Sequence, residues 1–271
     1  NWVNYFIFYI YLNKKIKLIN PDFLFCIHEL HPFSRVAWIV AENYNIKSFT
    51  IQHATITKRK LWYYPTRSEI NSGLSCPDFF YVYSKKTKEM LQKYYPAKTE
   101  FPIRMSHRFK YLRNENANRM ASSGYKDEKD ILFIGSLAWW DNNILFEGIN
   151  EILKNKKVLY NLIIRLHPNA NLSIKLRLYL FYWKQLERIN ISKRKIKEDF
   201  KKSSIAIGVS STALVEAKLN GLKAVSISSK NYSDSDKIYG IQSINIEDLN
   251  SYLIKSNNEL DYLHEIKNED I

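Results

Sequence analysis

Short apolar runs alternate along this chain with longer stretches in which apolar residues recur every three or four positions. A short run bounded by Pro, Gly, Asn or Ser reads as a strand buried on both faces, and the longer period reads as a helix lying on it. In the first half the runs are PDFLFCI (21–27), KSFTIQ (47–52) and DFFYVYS (78–84). Between the first two lies PFSRVAWIVAENYN (32–45), a predicted helix with Pro32 in its first turn, and a lysine-rich helix capped by Ser84 follows the third. In the second half the runs are DILFIGS (130–136), YNLIIRLHPN (160–169), INIS (189–192) and SIAIGVSS (204–211). A basic helix from Lys193 to Ser203 precedes the last run, and a helix-like segment carrying Glu216 and stopping at Gly221 follows it. Strands that alternate with helices in this way predict an α/β fold with parallel, doubly wound sheets.

A charged, irregular stretch from Lys98 to Lys129, containing Asn114 to Asn118 and Ser122-Ser123-Gly124, interrupts the pattern. The expected organisation is an N-terminal Rossmann-like domain over 1–112, a linker over 113–129 and a second Rossmann-like domain over 130–271. The opening segment NWVNYFIFYIYLNKKIK has an apolar stretch too short to cross a bilayer and broken by Asn4. It reads as an amphipathic helix packed on the core, with contact to a membrane surface through its aromatics and lysines as the other reading. The chain opens on Asn rather than Met, so the first strands of the N-terminal domain are expected to be absent. The tail from Asn245 to Ile271 reads as one or two polar helices.

The apolar run that ends in Gly208-Val209-Ser210-Ser211-Thr212 carries the first candidate chemistry. A strand that delivers small hydroxyl residues onto the start of a helix makes an anion site, because the first backbone N–H groups of the helix lack internal partners. Glu216 lies four residues beyond Thr212 on the same helical face, so phosphate above and sugar hydroxyls below describe a nucleotide site. The plain alternative is an ordinary N-cap. At the end of an earlier run stand Arg165, His167 and Pro168, with Arg165 and His167 on one side of the strand because Leu166 intervenes. A third strand end offers Gly135-Ser136, an opening typical of nucleotide-binding halves, although the chain has neither a GxGxxG nor a Walker A pattern. Ligands of open α/β sheets bind outside the carboxyl ends of the strands, so polar residues recurring there are informative.

Arg165-Leu166-His167-Pro168, then Ser210-Ser211-Thr212 followed by Glu216-Ala217, resemble the HP and SS/ST motifs of bacterial polysialyltransferases and related capsule and lipopolysaccharide enzymes, Kdo transferases among them. More loosely the chain is similar to the CDP-glycerol glycerophosphotransferases. The resemblance implies a GT-B fold, two Rossmann-like domains facing a cleft. It also implies donor contacts for His167, Ser210, Ser211 and Thr212, with a CMP-linked sialic acid, nonulosonate or Kdo as the sugar. The implied acceptor is a bacterial capsule, lipopolysaccharide or lipooligosaccharide glycan. Neither a bound metal nor a separate cofactor is implied. Three alternatives stay open: a CDP-glycerol-type phosphotransferase, a UDP-sugar 2-epimerase, and a non-catalytic nucleotide-binding subunit of a polysaccharide assembly complex.

Transfer to an acceptor hydroxyl needs a base. In the first half, His28-Glu29-Leu30-His31 and Gln52-His53 stand at strand ends. Glu29 is the first candidate and His53 the second. A helix-start charge would account for Glu29, and a fold-supporting loop role for His53. The acidic-Gly motif of the polysialyltransferases is not reproduced. The spacing of His28, Glu29 and His31 is not that of HExxH, so no metal is assigned.

The net charge of +14, from 41 Lys and Arg against 27 Asp and Glu, suits an anionic donor and an anionic membrane or glycolipid surface. The basic residues are spread along the chain without a nucleic-acid motif, so nucleic acid is not the expected partner. Two cysteines, Cys26 and Cys76, form neither a metal spacing nor a disulfide framework, which places the expected protein in a reducing cytoplasm, at the inner face of the cytoplasmic membrane where it meets lipid.

Overall fold

The computed structural model describes residues 2–27, 31–56, 60–104, 130–155, 160–185, 187, 189–209, 211–228 and 240–256. The chain divides into two compact units, 1–110 and 111–271. The stretch expected as a linker, 113–129, lies outside the described residues.

The first unit runs α1 (Trp2–Ile19), β1 (Phe23–Cys26), α2 (Pro32–Asn43), β2 (Lys47–Ile51), α3 (Arg67–Asn71), β3 (Phe79–Tyr81) and α4 (Lys85–Leu91). Its three strands pair in parallel in the order β1-β2-β3. Pro32 opens α2 as its proline-first sequence predicts, and Ser84 caps α4 by accepting from the Thr87 amide at 3.1 Å. Leu24, Val40, Ala41 and Ile46 pack with Ile16 of α1, while Phe80, Val82, Leu91 and Phe101 pack with Ile56 and Tyr63. Strand side chains of even number therefore meet helices and loops. On the opposite sheet face Phe23, Phe25 and Ile51 are exposed, with Phe49 stacked on Phe79 at 5.1 Å. Helix α1 packs on this core through Tyr9, Leu12 and Ile16, while Trp2, Phe6, Ile7, Ile10 and Tyr11 on its other side are exposed.

The second unit runs β4 (Asp130–Ile134), α5 (Trp139–Lys154), β5 (Asn161–Arg165), α6 (Ile174–Lys184), β6 (Ile189–Ile191), α7 (Ile196–Lys202), β7 (Ser203–Gly208), α8 (Thr212–Leu219), β8 (Lys223–Ser228) and β9 (Gln242–Asn245), then a helical segment over 249–256. All six strands are parallel, in the order β6-β5-β4-β7-β8-β9. Counted within the unit this is 3-2-1-4-5-6, the order of a Rossmann sheet. The near-continuous apolar strands follow from burial on both faces. Ile131 and Phe133 of β4 point toward Ile144, Phe146 and Ile149 of α5 and Trp183 of α6. Leu132 and Ile134 point the other way, toward Phe200 of α7 and Leu214 and Ala217 of α8. The helix after β4 and the helix after β7 thus lie on opposite faces although the two strands are neighbours. That reversal is the topological switch point, where the loops diverge and leave a crevice.

Candidate functional site

Three of the predicted strand ends come together at this crevice. The loop after β4 carries Gly135 and Ser136, the loop after β5 carries His167 and Pro168, and the turn after β7 leads through Ser211 into Thr212. Ser210 lies outside the described residues.

The β4 loop is fixed from both sides. Gly135 donates its amide to the Arg165 carbonyl at 2.7 Å. A Cβ at Gly135 would stand 3.2 Å from that oxygen and 3.2 Å from the Leu166 Cα, so a side chain here would have to push back the end of β5 by a few tenths of an ångström, and the close approach favours glycine. Asn142, fully buried in the first turns of α5, accepts from the Ser136 amide and donates to the Ser136 carbonyl, each at 2.9 Å. Ser136 Oγ accepts from the Ala138 amide at 3.2 Å. One side-chain amide satisfies both backbone groups of a residue that would otherwise lose its partners at the strand's end.

His167 is half-buried, and its Nδ1 accepts from the Asn169 amide at 3.2 Å. With Nδ1 used as an acceptor, Nε2 is the ring nitrogen left to donate, a donor suited to phosphate oxygen. A turn closed by the Ala170 amide on the His167 carbonyl, at 2.9 Å, holds the HPN segment, with Pro168 exposed within it.

Arg165 ends β5 on the α7 side of the sheet. Its Nη1 donates to Asp199 Oδ2 at 2.8 Å and to the Arg194 carbonyl. Ser192 Oγ lies 2.7 and 2.8 Å from the two oxygens of the same carboxylate. Ser211 behaves as the N-cap of α8, its Oγ accepting from the Ala213 amide at 3.3 Å, and Thr212 is the first helical residue, half-buried. The cap and the anion-site readings of this helix start describe the same atoms. Glu216, one turn on, is buried, and its carbonyl accepts from the Asn220 side chain at 2.8 Å.

In the first unit Glu29 and His28 lie outside the described residues. His53 follows β2 with its ring 6.1 Å from that of Tyr63, and the buried Gln52 beside it accepts from the Tyr83 amide at 3.0 Å, tying the ends of β2 and β3. His31 caps α2 and stacks on Phe33 at 5.6 Å. Among the described residues no group of three His, Cys, Asp or Glu side chains is placed to hold a metal ion.

Three residues that the sequence reading passed over shape the site: Asn142, Ser192 and Asp199. Ser192 ends the predicted INIS strand, which is a signal of position, but Asn142 and Asp199 sit within helices, where nothing local in the sequence marks a buried polar side chain.

No protein-family model matches the chain, and no curated protein matches it in sequence. Solved structures do. A glycosyltransferase from Rickettsia africae ESF-5 superposes with a TM-score of 0.57 over 97% of this chain and 73% of its own, at 13% identity. The UDP-GlcNAc 2-epimerase of Neisseria meningitidis, bound to UDP-GlcNAc, gives 0.57 over 95% and 72% at 14% identity. MurG of Acinetobacter baumannii gives 0.55 over 91% and 68% at 10% identity. The fold is of the GT-B class. At these identities the similarity speaks to the fold, and this chain spans part of the length of each GT-B neighbour. The parallel sheets and the switch-point crevice agree with the α/β fold that the sequence predicts.

Proposed function

We propose that the chain is a GT-B glycosyltransferase that takes a sugar from a nucleotide donor and passes it to a surface glycan. What carries the reading is the 3-2-1-4-5-6 strand order, which gathers Gly135, Ser136, His167, Ser211 and Thr212 at one switch point. In this reading the donor's phosphate lies against the α8 start and the Nε2–H of His167, with Arg165 as the nearby cation, Ser210 as a further hydroxyl and Glu216 on the sugar hydroxyls of the nucleoside. Gly135 lets the β4 loop lie close against the end of β5 beside the donor, and Pro168 fixes the turn behind His167. The protein's contribution to the reaction is to position the donor and stabilise charge on the departing phosphate. Glu29, or else His53, takes the proton of the acceptor hydroxyl.

The HP and SS/ST resemblance assigns a CMP-linked nonulosonic acid or Kdo to the donor and a capsule or lipopolysaccharide glycan to the acceptor. A second reading has its own support, because a UDP-GlcNAc 2-epimerase shares the fold to the same degree as the glycosyltransferase. The exposed Trp2, Phe6, Ile10 and Tyr11 of α1, with Lys14, Lys15 and Lys17 further along, favour contact with an anionic membrane surface at the cytoplasmic face. No described helix is long and apolar enough to cross a membrane.

Phosphorus and proton NMR of the protein with CMP-sialic acid, CDP-glycerol and UDP-GlcNAc, each with and without a glycan acceptor, separates the readings. Sugar transfer that releases CMP supports the glycosyltransferase. Glycerophosphate transfer supports the phosphotransferase, epimerised sugar the epimerase, and no turnover of any donor the non-catalytic subunit.

A further inference from the structure

We infer that Asp199 is a positioning residue for the donor site, holding the Arg165 guanidinium at the carboxyl end of β5. The inference rests on the nucleotide-donor reading above. Asp199 is fully buried in the first turn of α7, and Arg165 reaches it from 34 positions earlier in the chain. The carboxylate receives Arg165 Nη1 at 2.8 Å and Ser192 Oγ at 2.7 and 2.8 Å, and the Arg194 amide in turn donates to Ser192 Oγ at 3.2 Å. The carbonyl of Arg194 takes the same Nη1. A single terminal nitrogen of the guanidinium is thus engaged among the described residues, and Nε and Nη2 remain for a ligand.

Burying a carboxylate is costly, and an apolar pair would join β5 to α7 at least as well. What an apolar pair cannot do is hold a cation at a fixed place. Arg165 keeps 22% of its side chain exposed while Asp199 keeps 1%, so the anion is sequestered and the cation still faces solvent beside the His167 loop. A planar guanidinium anchored at one nitrogen loses little further freedom when it forms a second, charge-assisted bond to phosphate. Ser192 and the first turn of α7 complete the anchor, since a carboxylate is favoured near a helix start.

A double-mutant cycle tests this, with R165A, D199N and the double variant titrated by calorimetry with CMP and UDP, and folding followed by thermal melting. If Asp199 acts through Arg165, each single change weakens binding about tenfold, the loss expected for a hydrogen bond to a charged group, and the double variant binds no more weakly than R165A. A structural role would make the losses additive. Should D199N fail to fold, S192A replaces it, with a smaller loss that likewise vanishes in the R165A background. Additive losses, or unchanged affinity in a folded D199N or R165A protein, overturn the inference while leaving the donor reading in place. Absence of CMP and UDP binding by the wild-type protein removes both.

Discussion

Gly135 donates its amide to the carbonyl of Arg165 at 2.7 Å, one residue past the last paired residue of β4. The contact joins the loop after β4 to the last residue of β5, so the strand end that carries Ser136 and the one that leads to His167 are held together.

Gly135→Ala tests it. The added Cβ would meet the Arg165 oxygen, the Leu166 Cα and, at 3.3 Å, Asn142 Oδ1, two of them backbone atoms that cannot rotate away. The expected cost is about 1–3 kcal/mol of stability by denaturant titration, with a parallel loss of nucleotide affinity as the loops part. Unchanged stability would show that the two loops move apart freely.

Asn142→Ala removes both partners of Ser136, the amide and the carbonyl, from a half-buried position. Leaving such groups unsatisfied costs about 1–3 kcal/mol each at most, and water entering the gap reduces it. Asn142→Asp keeps an acceptor for the Ser136 amide but offers no donor to its carbonyl, so its melting temperature should fall between those of Asn142→Ala and the wild type. An Asp variant less stable than Ala would mean that a buried charge outweighs the retained bond.

Glu69 supplies a pH dependence in the first unit. The Thr66 amide, the largest influence, and the Arg35 guanidinium hold its carboxyl below the usual carboxylate range. A folded-state value below the unfolded one means stabilisation that is complete above about pH 4.3 and is lost as pH falls through the folded value. Glu69→Gln should therefore lower stability at neutral pH by under about 1 kcal/mol, because the pair is partly exposed, and the gap should close on acidification. A gap independent of pH from 7 to 3 would contradict the assignment.

For the acceptor base, Glu29→Gln should leave nucleotide affinity near that of the wild type and reduce turnover on the order of a hundredfold. Full activity in Glu29→Gln with loss in a folded His53→Ala protein would exchange the two roles.

The strand-end motifs were legible because each is local. Ser211 caps the helix that Thr212 begins, and His167-Pro168 sits within the turn that displays it. The short helix α3 could have been read as well, since Thr66 and Glu69 form the capping box that an S/T-x-x-E spacing announces, yet the surrounding polar and aromatic loop masked it. Asp199 was not legible. It stands in KRKIKEDFKK, within helix α7, where a carboxylate reads as one member of a solvated charged face, and its partner Arg165 lies on a strand 34 positions earlier. Asn142 was hidden for the same reason, its partner being a backbone group across a loop. Which part of α1 is covered was not legible either, because WVNYFIFYIYL is apolar nearly all round, so its pattern does not single out the stripe of Tyr9, Leu12 and Ile16 that packs on the core.

Calorimetric titration of the wild-type chain and of His167→Ala with CMP, UDP and GDP bears most directly on the central claim, that the switch-point loops bind a nucleotide donor. The wild type is expected to bind a pyrimidine nucleotide, CMP if the HP and SS/ST resemblance holds. Folded His167→Ala should lose about 1.5–3 kcal/mol of that binding, the contribution of a hydrogen bond to a charged phosphate. Equal affinity in the two proteins, or no binding of any of the three nucleotides, would contradict it.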